Sequence, residues 1–118
     1  MKDSGMPDAA LPLVPVPNVS PWDTDAIYKI LADPARRRML TALTGGGSLC
    51  ATSLKGHARL RLDATLKHLV LMRAAGLLAV KPDPQDGRRM LYSLMPSVPV
   101  ATTPTGRTVD FGFCLLRL

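Results

Sequence analysis

Apolar positions along this chain form four helical stripes and then a strand-like alternation. The clearest signal lies in Leu60 to Leu94, LRLDATLKHLVLMRAAGLLAVKPDPQDGRRMLYSL. Thr65, Leu69 and Met72 recur at three- and four-residue spacing with Leu62 and Leu66 adjacent, which predicts a helix over about 62–75. Asp63 sits in its first turn, where a carboxylate meets the positive helix end, and Gly76 is a natural terminator. Leu77 to Lys81 and Arg88 to Leu94 then read as two strands of a hairpin. Its loop is Pro-Asp-Pro-Gln-Asp-Gly, in which Asp86-Gly87 supplies a turn that tolerates positive φ.

Upstream, Ile27, Ile30 and Leu31 give a first helix its stripe, with Ser20, Asp23 or Asp25 available to cap it. Asp33-Pro34 ends that helix and starts the next. Asp33 can cap exposed amides, and Pro34 fits a first helical position whose N–H has no partner. The second helix runs to about Thr44 with Met39, Leu40 and Leu43 facing in, and Gly45-Gly46-Gly47 breaks it. Ser48 to Cys50 is short enough for one strand of a small sheet or a link. Ala51 to His57 reads as a short helix anchored by Leu54, followed by a turn over 58–61.

The ends differ in texture. Pro7, Pro12, Pro15, Pro17 and Pro21 make residues 1–21 an expected flexible, Pro-rich N-terminal arm. Pro96 stops the second hairpin strand, and the Pro/Thr-rich stretch from Ser97 to Arg107 is expected to be an irregular linker. Val109 to Leu118 reads as one C-terminal strand, apolar enough to require pairing with the sheet or with a second subunit. The expected organisation is thus an arm (1–21), a winged helix-turn-helix (22–95), and a linker with a C-terminal strand (96–118). The fold class is mainly α with a small β-sheet (α+β).

Composition narrows what such a fold does. Of the formal charge of +6, all of it comes from Trp22 to Met95, while the ends cancel. A basic body suits a polyanion, although a basic surface also serves solubility. A helix followed at once by a basic hairpin can enter a major groove while the hairpin rides on the neighbouring backbone. The two cysteines, Cys50 and Cys114, form no CxxC pair or zinc-spaced cluster, so free, reduced, partly buried thiols are expected. No metal or cofactor is expected. No apolar run spans a bilayer, and the first residues lack the order of a signal peptide, so a soluble, cytoplasmic protein is expected. His57 and His68 have no paired Ser or Cys motif, and Gly45-Gly46-Gly47 lacks a following Lys-Ser/Thr, so catalysis is not expected.

Three segments resemble the winged-helix repressors of the arsenical-resistance (ArsR-like) type. Leu31-Ala32-Asp33-Pro34-Ala35-Arg36-Arg37-Arg38-Met39-Leu40 is similar to that family's LADPTRLRIL opening. Lys67-His68-Leu69, followed by Met72-Arg73-Ala74-Ala75-Gly76-Leu77-Leu78, is similar to its RHLxxLxxAGLV. Asp86 to Leu94 is similar to its wing, GRRVYYRL. The resemblance covers about Asp25 to Leu94 and implies a homodimeric repressor that binds double-stranded DNA at an operator and releases it to an inducer, here unknown. In place of the family's metal-binding ELCVCDL stands Ser48-Leu49-Cys50-Ala51-Thr52-Ser53-Leu54. Thr52 takes the second cysteine's place, and one thiol makes no tight soft-metal site. The family's C-terminal dimer helix has no counterpart in this Pro-rich, strand-like end.

The DNA-facing candidates are Arg61, Asp63, Ala64, Thr65, Lys67 and His68 at the start of the recognition helix, and Arg88 and Arg89 beside the hairpin tip. Arg61 and Lys67 suit guanine edges or phosphate. Thr65 also fits the core, and His68 fits a phosphate or a neighbouring side chain. Strand alternation sets Arg88 and Arg89 on opposite faces, leaving one of them for DNA. Arg36 to Arg38 fit either phosphate contacts or a solvated helix face. Leu66 fits a thymine methyl or the core. Leu66, Leu71 and the apolar C-terminal strand also fit a module that binds protein instead of DNA, and Cys50 or Cys114 fits a sensor.

Overall fold

The computed structural model describes residues 22–118, and the arm expected over 1–21 lies outside them. Helix α1 (Thr24–Leu31) is opened by Asp23, whose carboxylate accepts from the Ala26 amide at 3.2 Å. Helix α2 (Pro34–Leu43) is opened by Asp33, which accepts from the amides of Ala35 at 2.8 Å and Arg36 at 3.3 Å, with Pro34 in the first turn. Burial opposes the charge on Asp33. The two amides and the nearby positive charge of Arg36 outweigh it and hold the carboxyl below the usual carboxylate range.

Strand β1 (Leu49–Cys50) leads into α3 (Ala51–Ala58), and a turn at Arg59, in the left-handed region at φ 60, leads to α4 (Leu62–Ala74). Strands β2 (Leu78–Pro82) and β3 (Met90–Leu94) form the hairpin. The sheet order is β1-β3-β2, with Tyr92 opposite both Leu49 and Val80. Ile27, Met39, Leu40, Leu43, Leu54, Leu69, Met72 and Leu77 meet in a core with essentially no exposure. Helices α3 and α4 are thereby packed as the two helices of a helix-turn-helix, with the hairpin as its wing.

The three consecutive arginines of α2 turn inward. Arg36 Nη1 donates to the Lys29 carbonyl at 2.9 Å, Arg37 Nη1 to the Leu31 carbonyl, and Arg38 Nη2 to the Ala58 carbonyl at 2.8 Å. These acceptors belong to the last turns of α1 and α3, where carbonyls lack intrahelical donors and the helix end is negative. The guanidinium groups therefore tie three helices together, a role that neither phosphate contact nor solvation of a helix face describes.

The C-terminal region corrects the reading of the sequence. The stretch expected to be irregular contains β4 (Val100–Thr103) and the start of β5 (Gly106–Asp110), and the expected single strand is broken before β6 (Leu115–Arg117). The break is a turn in which Asp110 Oδ1 accepts from the Gly112 amide at 2.8 Å and the Phe111 amide donates to the Cys114 carbonyl. The three strands form a separate antiparallel sheet in the order β4-β5-β6, so the apolar end pairs with β5 and not with the first sheet. Val98, Val109 and Phe111 of this region are buried in the common core. Phe111 meets Trp22 edge-on at 5.5 Å and Phe113 meets Tyr28 at 5.3 Å, which docks the second sheet on α1. Trp22 also lies over Gly76, where φ is +86 and an added Cβ would sit 3.4 Å from the indole.

Candidate nucleic-acid interface

Helix α4 presents one buried side and one exposed side. Thr65, Leu69 and Met72 fill the buried side. Thr65 has no exposed surface, and its hydroxyl donates to the Arg61 carbonyl at 2.9 Å. That removes it from the DNA-facing set: a side chain sealed under the helix cannot meet a base edge, and its hydroxyl instead ties down the first turn. Ala64 is half-buried on the flank.

Arg61, Asp63 and Lys67 lie on the exposed side. Arg61 is the N-cap residue without a side-chain cap bond, and its guanidinium reaches Asp63 at 3.1 Å in open solvent. The Arg61 hydrogen bond first, and the Ala64 amide next, hold the Asp63 carboxyl below the usual range. An exposed ion pair contributes little, so it yields readily to a phosphate. Lys67, one turn on from Asp63, has no ion-pair partner among the described residues.

His68 is half-buried and faces α2, where its Nδ1 accepts from Arg36 Nε at 2.9 Å. The neutral ring then carries its proton on Nε2. Of the two roles open to it in the sequence, the neighbouring side chain is the one found, and it links α4 to the arginine clamp of α1. The acceptor is a single ring nitrogen 32 residues away, so nothing local in the sequence marks it.

At the wing tip, Arg88 and Arg89 precede β3 instead of lying on it, so strand alternation does not divide them. Both are exposed, Arg88 almost fully. Asp83 and Asp86 close the loop by accepting from the amides of Gln85 at 2.8 Å and Arg88 at 3.1 Å. Gly87 does not occupy positive φ, so these side chain-to-backbone turns do the work expected of Asp-Gly. Each arginine also lies beside one of these carboxylates, Arg88 Nε 3.6 Å from Asp86 and Arg89 Nε 3.9 Å from Asp83.

Leu66 is 40% exposed, which excludes the core alternative, and Leu62, Val70 and Leu71 are exposed too. Leu62, Leu66 and Val70 recur every four residues and make an apolar stripe beside Lys67. The spacing is visible in the sequence, but the stripe merges there with the core positions next to it.

Cys50 stands at the N-cap position of α3 with its Sγ 3.5 Å from Ser53 Oγ, and that hydrogen bond, with the backbone amides of the first turn, brings its thiol below the ordinary range. Cys50 and Cys114 are both free and half-buried. Among the described residues no three His, Cys or Asp side chains are grouped to hold a metal ion, and no helix is long and apolar enough to cross a membrane.

No family model matches the chain. Over 73 residues it is 34% identical to the arsenic resistance transcriptional regulator ArsR1 of Pseudomonas putida, covering 62% of this chain and 55% of that protein. The chain thus spans about half the length of the curated relative it matches. Among solved structures it is similar to a predicted DNA-binding transcriptional regulator from E. coli, at 32% identity and a TM-score of 0.52, covering 63% of this chain and 75% of the other. It is also similar to the cadmium metal-sensor CMTR from Mycobacterium tuberculosis, at 29% identity and a TM-score of 0.50, covering 62% and 72%. NolR from Sinorhizobium fredii, at 23% identity, a TM-score of 0.54 and coverage of 63% and 70%, shares the fold.

Proposed function

We propose that this chain, whose body is an ArsR-like winged helix-turn-helix, is a sequence-specific DNA-binding transcriptional regulator. It is non-enzymatic and cytoplasmic, and it acts as a repressor in the form of a homodimer on a double-stranded operator. The observation that carries this reading is one exposed cationic arrangement. Arg61 and Lys67 lie on the open side of α4, and Arg88 and Arg89 at the tip of the adjoining wing.

In this reading the first turns of α4 enter the major groove. Arg61 and Lys67 meet guanine edges or phosphate there, Asp63 and Ala64 shape the approach, and Leu66 lies where a thymine methyl would fit. Arg88 and Arg89 both grip the backbone. His68 contributes by fixing α4 against α2, with Nε2–H left to donate. The unit carrying this activity is residues 22–95, and the second sheet braces α1.

Selection of duplexes from a random pool tests the reading. Enrichment of an inverted repeat, with a complex of two chains per duplex, is the expected result; a pool that stays random after several rounds rejects it. The exposed Leu62, Leu66, Val70 and Leu71 favour a second reading, a winged-helix module that docks on protein. A defined partner that buries α4, together with the failed selection, would support that reading instead.

A further inference from the structure

A groove of about 380 Å³ lies between α1 and the C-terminal half of α4, lined by Ala26, Ile30, Leu71, Ala74 and Ala75, with Lys29 and Arg36 at its edge. We propose that it binds a small amphipathic carboxylate, with an apolar tail along the alanines and leucine and an acid head on Lys29 and Arg36. This inference rests on the regulator reading for its consequence, not for the binding itself.

The lining has no acidic residue, so its two cations face an otherwise apolar surface. Arg36 uses Nε on His68 and one N–H of Nη1 on the Lys29 carbonyl. Its other N–H groups have no protein acceptor among the described residues, and neither does the Lys29 ammonium. A guanidinium with free N–H groups in a fixed fork is suited to a carboxylate, and a cation beside apolar surface selects an anion with a tail over either part alone. Asp33 is the acid nearest in sequence to Arg36, and its carboxylate is already engaged by the Ala35 and Arg36 amides.

Occupancy would be felt at the DNA-facing side. Arg36 holds His68, and His68 follows Lys67 on α4. A carboxylate that draws the guanidinium toward the groove loosens this bond and lets α4 shift against α2. The ligand and the duplex then disfavour each other, and the coupling is reciprocal.

Decanoate is the probe, with decanol, decylamine and acetate as controls, added to the full chain. Methyl NMR without DNA is expected to show saturable shifts at Ala26, Leu71, Ala74 and Ala75 with decanoate. Decanol should bind roughly tenfold more weakly for lack of the charge-assisted bonds, and decylamine and acetate should give no saturable shift. Ala74→Phe, which fills an exposed part of the groove, and Lys29→Glu, which reverses its charge, are expected to abolish the shifts while leaving duplex affinity intact. Decanoate should weaken duplex binding of the unmodified chain by at least about fivefold and that of the two variants not at all.

Decanol matching decanoate would overturn the proposal, and so would the absence of groove shifts. Methyl shifts that depend on protein concentration and resist decanoate would assign the groove to a second copy of the chain and also overturn it. Because the methyl titration contains no DNA, a failure of DNA binding leaves its outcome readable.

Discussion

Single residues set both the helix starts and the charge of the outward face. Asp33 accepts two amides at the start of α2, so Asp33→Ala is expected to lower stability by about 1 kcal/mol in urea unfolding. Its folded carboxyl titrates below its unfolded value. The stability this contributes is present above the unfolded pKa and is lost as pH falls through the folded one. The unmodified chain should therefore weaken below about pH 4. Asp33→Asn, which keeps a capping oxygen but cannot ionise, should show a flatter acid limb; an unchanged limb would contradict the assignment. On the outer side of α4, Asp63 holds Arg61 and adds a negative charge where phosphate would come. Asp63→Asn is expected to raise affinity for random duplexes and to steepen the salt dependence by up to about one unit. No change in anisotropy titrations would place Asp63 away from DNA.

At the scale of elements, the arginine run of α2 acts as a clamp on the ends of α1 and α3. Arg36→Met removes hydrogen bonds to the Lys29 carbonyl and to His68. It should reduce stability by about 1–3 kcal/mol and speed amide exchange in α4 more than in the wing; uniform exchange would deny the link. The clamp was illegible in the sequence because its acceptors are mostly backbone carbonyls, which leave no trace in residue identity. The helices were legible because Ile27–Ile30, Met39–Leu40–Leu43 and Leu69–Met72 keep helical spacing and Asp33-Pro34 punctuates them. Thr65 was ambiguous for a physical reason: threonine suits a base contact and, with its hydroxyl returned to the helix backbone, suits a core equally well. Arg88 and Arg89 were misplaced because Asp83 and Asp86 extend the loop through side-chain hydrogen bonds, which moves the start of β3 to Met90. The second sheet is not legible in the sequence because its strands are short, with Thr in β4 and β5, Pro104-Thr105 at one turn and Gly112 at the other.

For the whole molecule, the second sheet completes the core at the end where the sequence reads as a single strand and lacks the dimer helix of the ArsR-like pattern. Phe111 is 2% exposed and packs on Trp22. Phe111→Ala is expected to cost about 3–5 kcal/mol in urea unfolding, because that contact joins the segment leading into α1 to the end of β5. A cost near zero would mean that the sheet is an appendage. The wing and α4 then ride on a body in which α1 and the second sheet brace each other, which fixes the orientation of one toward the other.

In the proposed function the exposed cations of α4 and of the wing grip one duplex together. Its most direct test is the salt dependence of duplex affinity for the unmodified chain, Lys67→Ala, Arg88→Ala and the double variant. Each lost phosphate contact is expected to flatten the slope by about 0.9, and the double variant should lose close to the sum. Slopes and affinities indistinguishable from those of the unmodified chain would contradict the account.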